Sequence, residues 1–268
     1  MVVERILNAR AGLLILISFA CMPAFAQTQS ASRDFMGMWS DPPVTITGIF
    51  CASWCTDAGI ERLNALLDDP KNDARPVADL QAEADKYQRE KYIRPRLSDA
   101  ALKTYPLDRA DDPSFLRCEP YGFAQQFISR HQLEIRQTSK DRLEMRYGEW
   151  DARRTVYMDG RKRPVNEPLS RLGYSVGRWE GGTLVIETSG ILASRTPWQS
   201  DHSDQLHVIE RYTRSKDGKT LTLTATMTDP WSFREPVLIQ HIWAWAPDQI
   251  IAPYDQCEIP TEVKKGVR

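Results

Sequence analysis

The spacing of hydrophobic and polar residues changes near residue 124 of this 268-residue chain. Before that point, apolar residues recur at helical spacing, as in TDAGIERLNALLDD, where Thr56 or Asp57 is suited to cap a short amphipathic helix. The polar segment DLQAEADKYQREKYI predicts a second, solvated helix, and Ser98 begins a third, shorter one. Prolines separate these segments. We therefore predict a helical and loop region over residues 27–123 that packs on the second half of the chain.

Nine segments after residue 124 alternate apolar and polar residues with a period of two, which predicts nine strands. They are HQLEIRQ, DRLEMRYGEW, RRTVYMD, GYSVGRWE, TLVIETSG, LHVIERYTR, LTLTATMTD, VLIQHIWAWA and IIAPYDQCE. Short polar links such as WEGG and SKDGK are typical of hairpins. Because closure removes the exposed edges of a large sheet, the sequence predicts a mainly β fold, an up-and-down antiparallel barrel of about eight or nine strands over residues 124–260. Residues 261–268 form a polar tail.

The first 26 residues have the features of a secretory signal peptide. Arg5 and Arg10 precede an apolar run, and the small residues ending at Ala26 suit cleavage. The run is too short to cross a bilayer, and no later uncharged run reaches the ~18 residues that a membrane span needs. We expect a periplasmic or secreted protein without a membrane span. A lipidated Cys21 is the alternative use of this segment.

Cleavage after Ala26 leaves four cysteines, an even number in an oxidising compartment, which predicts two disulfides. The preferred pairs are Cys51 with Cys55 and Cys118 with Cys257. A metal or redox pair in CASWC is the alternative, although it lacks the two-residue spacing of oxidoreductases and has no histidine nearby.

The charge of the chain and the absence of known motifs reduce the number of possible function classes. The formal net charge is −1 and the basic residues are scattered, so nucleic acid is not an expected partner. The chain has no glycine-rich phosphate loop, dinucleotide fingerprint, Gly-x-Ser-x-Gly elbow or His-Glu-x-x-His motif. We predict no cofactor and no metal site, since no ligand spacing links the histidines.

The strand at 237–245 is the best candidate for a ligand-binding wall. Its alternation places His241, Trp243 and Trp245 on one face, where an imidazole among indoles needs a partner or a use. A satisfied core histidine beside core tryptophans is the other interpretation. Tyr174, which begins the strand of GYSVGRWE, is a further ligand-binding candidate.

The strand after SDHSD has polar groups on both faces. One face presents His207 and Arg211, a candidate base beside a cationic anchor, and the other presents Glu210 and Tyr212. Either orientation places a titratable group inside the barrel. His202 lies in the preceding polar loop, where a histidine at the barrel mouth could act as an acid or base.

Two resemblances rest on short motifs. Gly37-Met-Trp39 and Gly177-Arg-Trp179 resemble the Gly-x-Trp of lipocalins, in which the tryptophan plugs one end of the barrel. The longer pattern SVGRWEGGTLV, then HSDQLHVIER, then DP at Asp229, is similar to a family of secreted bacterial proteins of unassigned function. It covers roughly residues 118–258 and implies a secreted β-rich domain without a known reaction.

These patterns leave several functions open. The first is an exported lipocalin-like barrel that binds a small apolar or aromatic molecule. The second is a cofactor-free isomerase, dehydratase or lyase for such a molecule, with His241 and His207 as acid and base, Arg211 as oxyanion anchor and His202 as a further candidate. A third is an envelope protein whose helices recruit another protein.

Overall fold

The computed structural model describes residues 35–42, 50–107 and 119–251. The predicted signal peptide, Cys21, Cys118, Cys257 and the polar tail lie outside these residues. So does most of the ninth predicted strand, and its described residues 250 and 251 are not in a strand.

The helical region forms as a series of short elements. The helices are α1 (Asp57–Leu67), α2 (Val77–Gln88), α3 (Arg94–Arg96), α4 (Asp99–Leu102) and α5 (Phe123–Gln126), with a 3-10 turn at Pro70–Asn72 and a π turn at Arg89–Ile93. Thr56 caps α1 by accepting from the Gly59 amide, and Ser98 caps α4 in the same way through Ala101. None of these helices has the length and apolar character needed to span a bilayer.

Nine strands close into a barrel, which confirms the predicted fold class. The described residues contain eleven strands, of which nine form the barrel: β1 (Gly37–Ser40), β2 (Leu133–Ser139), β3 (Arg142–Tyr147), β4 (Arg153–Tyr157), β5 (Tyr174–Glu180), β6 (Thr183–Ser189), β7 (Ser194–Arg195), β8 (Asp201–His202), β9 (His207–Arg214), β10 (Thr220–Thr228) and β11 (Val237–Trp245). Around the barrel the order is β1-β11-β10-β9-β6-β5-β4-β3-β2, and β7 and β8 form a separate two-stranded sheet.

Two features of the barrel differ from the expected up-and-down antiparallel order. β4 and β5 run parallel, with Val156 opposite Ser175, because residues 158–173 carry the chain back along the barrel instead of turning directly. The ninth strand is β1, from the N-terminal side of residue 124, which pairs with both β11 and β2. The barrel is therefore closed by a strand that the sequence pattern did not reveal.

The helical region covers the edge of β11 that the short β1 leaves unpaired. Cys55 forms an isolated antiparallel bridge with Gln240, with N···O distances of 2.9 and 2.7 Å. Farther along the strand, the amide of Leu238 donates to the Tyr92 hydroxyl at 3.1 Å. Exposed strand edges invite pairing with other chains, so this cover protects the seam. Because the helical region is docked on the barrel, this arrangement argues against the hypothesis that its helices recruit another protein.

One end of the barrel is closed by two packed indole rings. Trp39 is fully buried and meets Trp245 edge to face at 5.0 Å. The Arg214 guanidinium lies over both rings, 5.3 Å from Trp39 and 5.0 Å from Trp245. Gly37 adopts a φ of +126°, and a Cβ there would lie 2.3 Å from the Trp245 ring, so only glycine fits. Trp245 is thus part of an end plug.

Candidate functional site

The predicted catalytic residues lie on opposite sides of the barrel wall. His207 and Arg211 lie on the outer wall, where His207 contacts Glu187 at 2.8 Å and Arg211 contacts Glu180 at 2.9 Å. His241 lies on the inner face of β11 and is fully buried. The structure therefore does not bring His207 and His241 together, and Arg211 cannot anchor an oxyanion inside the barrel.

Glu210 and Tyr212 occupy the interior, as the second orientation of this strand predicted. The Arg154 guanidinium contacts both oxygens of the Glu210 carboxylate, at 2.6 and 3.0 Å, and Tyr212 donates to the same carboxylate at 2.7 Å. Thr188 donates at 3.4 Å and also bonds Ser175 at 2.9 Å. These side chains form the interior network. Since all of them are buried, the network fixes neighbouring strands to one another.

Burial and mutual charge determine the protonation states in the interior network. Burial opposes the charge of Arg154, but the Glu210 carboxylate outweighs it and holds the pKa of Arg154 above its usual value. Burial, with Glu210 adding to it, raises the pKa of Tyr212 well above its ordinary value, and burial likewise raises the pKa of Tyr147. The two phenols therefore stay neutral, and Arg154 stays charged beside them.

His202 lies at the barrel mouth but is buried, not in a solvated loop. Its side chain is 2% exposed, and Nδ1 donates to the Ser203 carbonyl at 2.9 Å. Burial lowers the pKa of this histidine. The Asp229 carboxylate lies next to this segment and accepts from the Ser203 amide and from the Ser232 hydroxyl, both at 2.6 Å. This pattern makes Asp229 the organising residue of a turn.

His241 and Trp243 lie behind a cleft at the barrel mouth, which Ser53 and His131 help to line. His241 Nδ1 donates to the Ser53 carbonyl at 2.9 Å, and Trp243 Nε1 donates to the His131 carbonyl at 3.4 Å. Both acceptors belong to residues that line the cleft. Burial lowers the pKa of His241 to about 3, so its ring is neutral. His241 and Trp243 are core residues that support the cleft wall.

Tyr174 lies elsewhere, in a basic groove of about 410 Å³. Its ring stacks on Tyr157 at 4.9 Å. Arg161 lines the groove but pairs with Asp159, and Arg178 pairs with Glu180 at 2.6 Å. Both guanidinium groups have carboxylate partners, and Tyr174 is the one aromatic residue among the described residues that line the groove.

The mouth cleft has a volume of about 390 Å³ and lies between the helical region and the barrel. Five described parts of the chain line it: the disulfide loop with Ser53 and Trp54, Arg89 in the π turn, the segment 121–131 around α5, Glu149 after β3, and the segment 195–199, which begins in β7. Cys51 and Cys55 are disulfide-bonded, which confirms that predicted pair. The disulfide loop therefore serves as one wall of the mouth cleft.

Aromatic and cationic groups face each other across the mouth cleft. Trp54 is nearly buried and meets Trp198 edge to face at 5.7 Å. The Arg89 guanidinium lies 5.5 Å from the Trp54 ring and pairs with Asp85 at 2.8 Å. Arg130, Arg195 and His131 add further nitrogen donors, and Glu149 is the carboxylate among the lining residues. This combination suits a flat ring with an anionic substituent.

Strand register brings His131 and Glu149 together. Leu133 of β2 lies opposite Tyr147 of β3, so continuing that register by two residues places His131 opposite Glu149. The Gly148 amide donates to the Gln132 carbonyl at 2.8 Å and holds the two segments side by side. His131 Nε2 is 3.7 Å from the Glu149 carboxylate, and burial lowers the pKa of the imidazole.

The sequence interpretation assigned no chemistry to His131, Glu149, Arg154 or Arg195. The first two could have been found, because HQLEIRQ and DRLEMRYGEW each continue their inward-facing alternation by one further residue at the mouth. Arg195 had no such signal, since it comes from the small β7–β8 sheet outside the barrel pattern.

Within residues 35–42, 50–107 and 119–251, no three His, Cys, Asp or Glu side chains are grouped so that they could hold a metal ion.

Comparisons with protein family models, with curated proteins and with solved structures found no match to this chain.

Proposed function

We propose that this chain is an exported, lipocalin-like barrel that binds a small aromatic molecule carrying an acidic group. The mouth cleft is the binding site in this proposal. The single observation that carries it is the pairing of an indole wall, Trp54, with the guanidinium groups of Arg89, Arg130 and Arg195 around one cavity. A volume of about 390 Å³ falls in the range typical of small-molecule sites.

The charges at the mouth cleft favour an anion over a neutral ligand. Arg130 has a half-exposed side chain and contacts Asp41 at 3.7 Å, a distance too long for a hydrogen bond. Because a guanidinium has five N–H donors in a fixed plane, Arg130 can still meet a ligand carboxylate through two of them. The neighbouring indole gives the rest of such a ligand an apolar surface.

The proposed binding site also gives the helical region a role. Its disulfide loop supplies Ser53 and Trp54, and its π turn supplies Arg89, so the region completes the wall of the mouth cleft. The Gly37-x-Trp39 plug at the closed end supports the lipocalin-like part of the proposal. In that arrangement one end of the barrel is sealed and the other end receives the ligand.

Calorimetric titration with a matched pair of probes tests this function. We expect saturable binding of 3-phenylpropanoate and at least tenfold weaker binding of its neutral amide, because charge-assisted hydrogen bonds contribute about 1.5–3 kcal/mol. Arg130→Gln should weaken binding of the carboxylate but not of the amide, whereas Arg211→Gln on the outer wall should change neither. Equal affinity for acid and amide, or no binding of either, would refute the proposal.

A further inference from the structure

We propose that the mouth cleft is catalytic, with His131 as a base that moves a proton between the carbon and the oxygen of an aromatic 2-oxo acid. This inference rests on the proposed function, because the substrate must first bind in the same cleft. It differs from the enzyme hypothesis drawn from sequence in both the residues and their location.

The position of His131 suits proton abstraction. Its side chain is 37% exposed and lines the cleft, so the ring can reach a bound molecule. Trp243 donates to its carbonyl and fixes the main chain from behind. Burial lowers the pKa of the ring, which keeps it neutral, and therefore basic, near neutral pH.

Glu149 is a positioning residue for His131. Its carboxylate is 3.7 Å from Nε2, so it stabilises the imidazolium that forms when the ring accepts a proton. Gln126 donates to the main-chain carbonyl of Glu149 at 3.1 Å and so holds the backbone of this residue. The next two residues, Trp150 and Asp151, have φ of +60° and +51°, as in a two-residue hairpin turn, and the Ala152 amide closes that turn on the Glu149 carbonyl at 3.3 Å.

The cleft determines the class of substrate. His131 can accept a proton from an acidic C–H, the half-exposed Arg130 guanidinium can pair with negative charge, and the part of Trp54 that lines the cleft can contact a ring. An arylpyruvate has all three, because its benzylic C–H is next to a ketone and a carboxylate. These groups lie on one short skeleton, as the cleft requires.

The reaction balances within the cleft. His131 removes the benzylic proton, the C–H electron pair forms the carbon–carbon double bond, and the carbonyl electron pair moves onto oxygen. The guanidinium groups stabilise the resulting enolate. The imidazolium then returns its proton to that oxygen and gives the enol, or to the carbon and regenerates the ketone. In heavy water the second route replaces hydrogen with deuterium, and neither route consumes a co-reactant.

Proton NMR of phenylpyruvate in heavy water, in a weakly buffered medium, measures this exchange. We expect the native protein to accelerate loss of the benzylic signal, and His131→Gln to slow it by about 100-fold or more. His131→Asn is a second variant should the first fold poorly. His207→Gln is the matched control, because that histidine lies on the outer wall and should leave the rate unchanged. Glu149→Gln should lower kcat, leave KM nearly unchanged and shift the pH profile of kcat.

Parallel titration with 3-phenylpropanoate, which lacks the ketone, separates the two proposals. Exchange that is lost in His131→Gln while 3-phenylpropanoate still binds would support the inference. Normal binding with exchange at the background rate, or exchange unaffected by the substitution, would overturn it and leave the binding function intact. Failure of 3-phenylpropanoate to bind would overturn both.

Discussion

The Glu210→Gln substitution tests whether the interior network is shielded from water. Glutamine keeps the shape of the side chain but replaces a carboxylate that contacts Arg154 at 2.6 and 3.0 Å. It also places an amide nitrogen or a neutral oxygen beside Arg154. The guanidinium then stays buried without a counter-charge, since its side chain is 1% exposed.

The expected cost arises from that burial. Removing one partner of a buried ion pair costs about 3–5 kcal/mol, a large share of the roughly 5–15 kcal/mol that holds a typical domain folded. Arg154→Met combined with Glu210→Leu removes both charges and should cost less than Glu210→Gln alone. The residual cost comes from Tyr212, whose hydroxyl loses its acceptor at 2.7 Å.

Urea unfolding followed by circular dichroism measures these free energies. Glu180→Gln is the matched control, because it breaks the ion pair of Glu180 with Arg211, the residue next to Glu210 on the outer face of β9. Both side chains of that pair are more than a third exposed, so the control should cost less than about 1 kcal/mol. Equal losses for Glu210→Gln and Glu180→Gln would refute a desolvated interior network.

Three further predictions concern the plug, the disulfide and His241. Gly37→Ala places a Cβ 2.3 Å from an indole carbon and should cost about 2 kcal/mol or more in urea unfolding, against about 1 kcal/mol for Gly160→Ala, which has positive φ but open space. The Cys51→Ser, Cys55→Ser double variant should lose about 2 kcal/mol of stability and bind 3-phenylpropanoate more weakly in calorimetry, because the loop lines the mouth cleft. The folded-state pKa of His241 is about 3, below the ordinary value of 6.5, so protons bind the unfolded chain preferentially and stability falls as pH drops between these values. From pH 7 to pH 4 the loss should be roughly 3 kcal/mol greater than in His241→Asn, and parallel losses would contradict the burial of this ring.

Alternation was sufficient to predict most of the barrel from sequence. In β10, TLTLTATMT places every second residue inside, and the observed burial has the same order. β1 was missed because only four residues pair, too few for a period of two to be recognised. The parallel pairing of β4 and β5 depends on the path of residues 158–173, for which alternation gives no information.

The candidate site was harder to predict because it depends on side chains brought together from distant segments. The faces of β9 were ambiguous, since each face mixes apolar and polar residues. The preference for Glu210 inside depends on Arg154, which lies 56 residues earlier in the chain. The mouth cleft combines a disulfide loop, a π turn and two strand ends, none of which has a recognisable motif. Its residues could be connected only through the folded barrel.

The strand that closes the barrel determines the order in which the chain can fold. β1 is synthesised early, yet its partner β11 is almost the last described element, and Trp39 and Trp245 are about 200 residues apart. Until β11 exists, the open sheet has two unpaired edges, which are sites of aggregation in nascent chains. Such distant contacts also slow folding. We expect closure to be a late step after synthesis, and the packing of Trp39 on Trp245 provides a fluorescent signal for it.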